Sequence, residues 1–203
     1  MTSRRWLGRC WLDSTFLVCA VAATRFAFRS HYLYDIDSVN FALGMGRFDP
    51  RVYQPHPPGY FLYICVGRLS NFLFHDANLD LVMLSILASC GTVLVVYRLA
   101  FEWFGVRAAQ FAGAIFLLSP LVWFHGTVAL TYSVEAFFSA VVGLLCWRIY
   151  CGRENLVFAA AILLGIAVGI RPSSLLFLVP LFLFRCSIRR GGDWQESLSF
   201  PRL

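Results

Sequence analysis

Two carboxylates stand two residues apart in Tyr34-Asp35-Ile36-Asp37-Ser38-Val39-Asn40-Phe41-Ala42-Leu43. In such a pair one carboxylate can act as general base while its neighbour holds a divalent cation or, through it, a donor phosphate. The same residues can equally begin a helix with Asp37 as its N-cap, since an Asp side chain accepts the free amides of a first turn. A second stretch, Gln54-Pro55-His56-Pro57-Pro58-Gly59-Tyr60, sets a histidine among three prolines. Proline fixes φ and offers no amide, so His56 rides a stiff loop until the chain turns helical near Gly59. A fixed imidazole can bind phosphate or pass a proton; a solvated histidine on a rigid interfacial turn is the plainer reading.

Two further charges stand out by their surroundings. Glu135 is the only acidic residue between Arg107 and Arg148. An ionisable group in an apolar span is costly to hold and functional by default; the alternative is an interfacial carboxylate partnered by Tyr132 or His125. Arg171, in Gly169-Ile170-Arg171-Pro172-Ser173, can grip an anionic phosphate through two parallel donors or snorkel to lipid headgroups. Arg25, Arg29 and Arg68 are similar but less well placed.

The elements that must position these residues are apolar. Of 203 residues 59% are apolar and 14% charged, with a mean hydropathy of +0.69, against about 45–50% and about 25% in ordinary soluble domains. That balance excludes a soluble enzyme, a disordered tail and a disulfide-stapled domain, and predicts an all-α, polytopic membrane bundle. All 17 basic residues are Arg. They cluster at the ends of apolar runs and match no nucleic-acid motif, so they read as topology markers, not as a nucleic-acid surface. The seven cysteines form no CxxC pair and read as small buried hydrophobes, with no metal site.

Apolar runs cover roughly 11–28, 81–97, 108–134, 136–147, 155–170 and 172–184, with Pro120 and Pro180 as kinks. The first is expected to be an uncleaved anchor despite the Ala20-Val21-Ala22 resemblance to a cleavage site. The stretch Gly59–Phe74 is interrupted by Arg68. If it lies in the interface as an amphipathic helix, the loops around 98–107 and 148–153 and the Arg185/Arg189/Arg190 end share the N-terminal side, as the positive-inside rule prefers. This gives about six spans with both termini cytoplasmic and one external loop over 29–80. Four Arg against five Asp leave that loop a net −1. Long loops between spans are commonly functional.

In order and spacing, Asp37-Ser38-x-x-Phe41-Ala42, then His56-Pro57-Pro58-Gly59-Tyr60, Ser119-Pro120, Thr131-Tyr132-Ser133-Val134-Glu135 and Arg171-Pro172 resemble the GT-C class of membrane glycosyltransferases. The nearest patterns are protein O-mannosyltransferase-like, aminoarabinose-transferase-like and rhizobial galacturonosyltransferase-like. The resemblance covers about residues 10–185. It implies a polyprenyl-phosphate sugar donor and inversion at the anomeric carbon. Asp37 matches the catalytic base or acceptor-orienting position, and Asp35 makes the loop a DxD variant. His56 matches a donor-phosphate contact, Glu135 a second acidic position, and Arg171 a basic helix start; Tyr60 closes the His-Pro motif as a further substrate contact. Some relatives carry a carboxylate where Pro55 stands, which leaves a divalent cation possible but not implied.

The expected enzyme is therefore an inverting, lipid-linked-sugar-dependent glycosyltransferase of the inner or plasma membrane. Residues 1–186 form its N-terminal module; 187–203 form a cytoplasmic tail or the start of a continuation. Such proteins run to about twice this length, so a C-terminal half or partner subunit is expected beside the donor and membrane lipids. The rival readings are a prenyl-phosphate-binding or transport module and a non-catalytic membrane subunit.

Overall fold

A computed structural model describes the backbone of residues 2–188 and the side chains of 12–184. Most of the expected tail, with Arg189 and Arg190, lies outside the described residues, as do the side chains of Arg4, Arg5, Arg9, Cys10, Arg185 and Cys186. Among the described residues the chain is all-helical. The helices are α1 (Thr2–Ala27), α2 (Ile36–Gly46), α3 (Phe61–Phe74), α4 (Ala77–Phe104), α5 (Val106–Leu118), α6 (Pro120–His125), α7 (Tyr132–Tyr150), α8 (Val157–Ile170) and α9 (Leu175–Ile188). Among the described residues two helices, α4 and α7, are long and apolar enough to cross a membrane; α3 and α5 are shorter apolar helices, as are the stretches 154–170 and 172–184.

The helix α4 is the hub, packed against α1, α3, α5 and α7. Gly105, with φ at +85°, turns the chain back from α4 into α5. Asp13 of α1 accepts from Gln110, while Arg25 reaches the carbonyls of Phe116 and Leu117. These contacts run α1 parallel to α5 and antiparallel to α4. The hairpins α7–α8 and α8–α9 complete the alternation. As a result the starts of α4, α7 and α9 and the ends of α1 and α8 gather at one end of the bundle, together with α2 and the start of α3.

Several boundaries differ from the apolar runs for physical reasons. The helix α4 extends past both ends of 81–97 because its charges are partnered. Buried Asp80 accepts from Asn71, and Glu102 accepts from Arg98 one turn back and from Arg148 of α7. Pro120 breaks the 108–134 run outright, where a kink was expected: Ser119 stops α5 and Pro120 opens α6 as its first residue, a position where its missing amide costs nothing. The break leaves the Phe116 carbonyl facing Pro120, which has no N–H to give it. Arg25 supplies the donor from α1, at 3.4 Å to Phe116 O and 3.1 Å to Leu117 O, with its side chain fully buried.

The cysteines depart partly from expectation. Cys146 is buried and Cys65 and Cys90 half-buried, whereas Cys19 and Cys151 are exposed. The stretch Gly59–Phe74 does form an amphipathic helix, α3. Arg68 is tied back onto the end of α2 through Met45 O and Gly44 O, while Leu69, Phe72 and Leu73 point outward.

Candidate functional site

Asp35, not Asp37, caps α2. Its backbone is extended and its Oδ1 accepts the Asp37 amide at 2.9 Å. The first carboxylate of the pair is therefore committed to the helix start, which corrects the expectation that Asp37 would be the cap. Asp37 sits in the first turn with its carboxylate free of that duty and 40% exposed.

The stiff His-Pro loop seats against α2. Pro55 is among the fully buried residues, and it can approach because Gly44 has no side chain: a Cβ there would lie 2.8 Å from Pro55 Cδ. This brings His56 Nδ1 to 3.6 Å from Asp37 Oδ1, an electrostatic contact longer than a hydrogen bond. The other ring nitrogen, Nε2, lies 3.2 Å from the Tyr60 hydroxyl. Gly59 and Tyr60 both take positive φ, +105° and +45°, to swing the chain sharply into α3. A non-glycine residue in this region stores strain, a feature that concentrates at functional sites.

At the same end of the bundle, Glu135 and Arg171 pair. Arg171 Nε lies 3.1 Å from Glu135 Oε2, with the two side chains 18% and 15% exposed. The alternatives drawn from sequence, Tyr132 or His125 as the partner of Glu135, do not hold. Instead Ser174 and Ser173 donate to Glu135 Oε1 at 3.0 and 3.3 Å. Tyr132 lies under the Arg171 guanidinium, 4.0 Å from ring centroid to cation, and His125 packs its ring on Tyr132. Arg171 Nη1 donates to Thr131 at 3.1 Å. Arg171 Nε also donates to Ser173 Oγ at 3.1 Å, so the cation is oriented by a carboxylate, two hydroxyls and an aromatic face.

Tyr60 lies within electrostatic reach of both pairs. Burial pushes its phenol above the ordinary tyrosine range; the Arg171 cation pulls it down, and the charges of Asp37 and Glu135 push it up. One phenol therefore feels both Asp37–His56 and Glu135–Arg171.

An apolar cavity of about 560 Å³ opens between α3, α4, α7 and α8, lined by Leu62, Leu69, Leu84, Phe137 and Ile166 among others. Its lining includes Val134 and Ile170, the residues next to Glu135 and Arg171 in the chain.

The donor set does not assemble a cation site. Asp35 is used as a cap, and no group of three or more His, Cys, Asp or Glu side chains able to hold a metal occurs among the described residues.

Sequence reasoning missed Thr131, Ser173 and Ser174 as the residues that orient the Arg171–Glu135 pair. The signal was there in part, because Arg-Pro-Ser-Ser at a helix start clusters hydroxyls beside the cation. It also missed Ser38, which lies fully buried beside Asp37 and donates to Ala129 O at 2.9 Å.

No curated protein and no solved structure matches the chain. A family profile described as the protein O-mannosyl-transferase TMEM260 N-terminal domain matches residues 51–191. The match takes in His56, Tyr60, Glu135 and Arg171 and starts after Asp37. It supports a glycosyltransferase domain, and with more than half of the sequence covered, the chain belongs to the TMEM260 N-terminal domain family of protein O-mannosyl-transferases.

Proposed function

We propose that the chain is the N-terminal membrane module of an inverting glycosyltransferase, with residues 1–186 as that module. It moves a sugar, mannose in keeping with the family, from a polyprenyl-phosphate donor to an acceptor hydroxyl at the external membrane face. The observation that carries this reading is the half-buried Glu135–Arg171 pair, whose chain neighbours Val134 and Ile170 line an apolar cavity. A lipid phosphate needs that combination: a cation for the head and a slot for the chain.

In this reading Asp37 takes the proton from the acceptor hydroxyl as its oxygen bonds to the anomeric carbon. The bond from that carbon to the phosphate oxygen breaks, and its electron pair leaves with the polyprenyl phosphate. Arg171 meets the charge that grows on the departing phosphate, held in place by Glu135 and Thr131, and His56 and Tyr60 line the space between base and leaving group. Fixed geometry and charge stabilisation supply most of the rate. The half-exposed Asp37, freed from capping by Asp35, favours catalysis over a purely lipid-binding or structural role.

In the membrane, α1, α4, the α5–α6 pair, α7, α8 and α9 are the six passes, with α2 and α3 in the external loop and both termini cytoplasmic. Arg98 and Arg148 at the opposite end of the bundle suit the cytoplasmic side. A C-terminal continuation or partner subunit would bring the acceptor.

The test is transfer from polyprenyl-phosphate mannose by the full chain, with any partner half supplied. Asp37→Asn should abolish transfer while donor binding persists; undiminished transfer sinks the reading. For topology, Met45→Cys should label from outside and Trp103→Cys from inside, and the reverse pattern removes the external face.

A further inference from the structure

Between α6 and α7 the chain runs through residues 126–131 without forming a helix, yet Thr127, Val128, Ala129, Leu130 and Thr131 are all buried. Buried backbone needs partners, and each carbonyl from Thr127 to Thr131 has one. Thr127 O accepts the Ser30 amide at 2.8 Å, and Val128 O accepts from Leu130. Ala129 O accepts from Ser38 Oγ at 2.9 Å, Leu130 O from Ser85 Oγ at 3.1 Å, and Thr131 O from the Glu135 amide.

These tethers differ in what they connect. Ser85 belongs to α4, which carries none of the polar site residues. Ser38 is the immediate neighbour of Asp37, and Ala129 lies two residues before Thr131, whose hydroxyl accepts from Arg171. We propose that Ser38 is a positioning residue: its hydrogen bond to Ala129 fixes the Asp37 carboxylate relative to the Arg171–Glu135 pair. The two halves of the site come from elements far apart in sequence, and this bond joins them through buried atoms alone. Its catalytic meaning rests on the reading that Asp37 and Arg171 serve one transfer reaction.

The comparison that decides it is Ser38→Ala against Ser85→Ala. Each removes one hydroxyl donor from adjacent carbonyls of the same segment, so a merely structural role predicts equal effects. Two readouts are taken on the full chain: amide hydrogen exchange over residues 37–41, and kcat and KM with polyprenyl-phosphate mannose. Ser38→Ala should speed exchange in α2 about tenfold. It should also lower kcat by about 30-fold, in the range a small misplacement of reacting groups costs, with donor KM within about twofold. Ser85→Ala should match it in loss of thermal stability but keep kcat within about twofold. Ser38→Cys, nearly isosteric with a weaker donor, should fall between, and it replaces the alanine variant if that one does not fold.

Equal kcat losses in the Ser38 and Ser85 variants would overturn the proposal, as would unchanged exchange over 37–41. If the wild-type chain transfers no sugar, the transferase reading fails, and the exchange measurement still decides whether Ser38 holds α2 in place.

Discussion

Arg171 Nε stands 3.1 Å from Glu135 Oε2, with neither side chain more than 18% exposed. At that depth each charge depends on the other, since removing one partner leaves a poorly solvated charge behind. Arg171→Gln and Glu135→Gln should each cost about 1–3 kcal/mol, and the double variant should cost less than their sum by about 0.5–3 kcal/mol. Thermal unfolding of the four proteins gives the coupling, and strict additivity would show the pair to be incidental. Arg171→Lys keeps the charge but loses the planar fork over Tyr132, so donor affinity should still fall.

The two carboxylates of the acidic pair should separate cleanly. Asp35→Ala removes the cap of α2 and should cost about 1 kcal/mol of stability with transfer largely retained. Asp37→Asn should lower transfer by about 10²–10⁴ with little change in unfolding temperature, because the capped group is the Asp37 amide and not its side chain. An inactive Asp35→Ala protein of normal stability would reverse these roles.

Gly44→Ala tests how the His-Pro loop is seated. The added methyl would meet Pro55 Cδ at 2.8 Å and Pro55 N at 2.9 Å. Overpacking of this kind costs about 1–3 kcal/mol. It should also lift His56 from Asp37, so kcat should drop along with the unfolding temperature. Glycine 46, with open space around its Cα, is the control: Gly46→Ala should leave kcat unchanged.

Arg25 should prove structural. It supplies the donor that Pro120 cannot give to the Phe116 carbonyl. Arg25→Met keeps the bulk and leaves that carbonyl unpaired, which should cost about 1–3 kcal/mol. Donor KM should stay constant; a KM effect without a stability loss would move Arg25 into the site.

The Tyr60 phenol has its pKa raised, chiefly by burial. The fold therefore favours the protonated form. That contribution is complete below the unfolded-state value of about 10 and is lost as pH rises through the folded value. Transfer by wild type and Tyr60→Phe should then follow parallel pH profiles up to about pH 9. A wild-type decline near pH 8 that is absent in Tyr60→Phe would contradict this.

Much of the architecture was legible because apolar runs, arginine punctuation and prolines are local signals. The amphipathic α3 and the helix beginning at the acidic pair followed from them. Which carboxylate caps that helix did not, since Asp35 and Asp37 differ only in backbone conformation: the extended residue is the cap. Likewise Glu135 and Arg171 were each conspicuous, but nothing in their spacing marks them as partners. Their pairing depends on α7 and α8 meeting at one end, and on Ser173 and Ser174 following Pro172. Arg25 read only as a less well placed counterpart of Arg171, because the carbonyl that it serves is exposed only by a proline far along the chain.

The segment 126–131 has a consequence for how the protein is made. Apart from the Leu130 and Glu135 amides, which are local, its carbonyls take their donors from Ser30, Ser38 and Ser85. All three are synthesised earlier than the segment they serve. When the ribosome delivers this greasy, non-helical stretch, the groups that satisfy it have already emerged, and it can dock without waiting for α8 or α9. Biogenesis can thus run in chain order, with Arg171 arriving last onto a threonine whose backbone is already anchored.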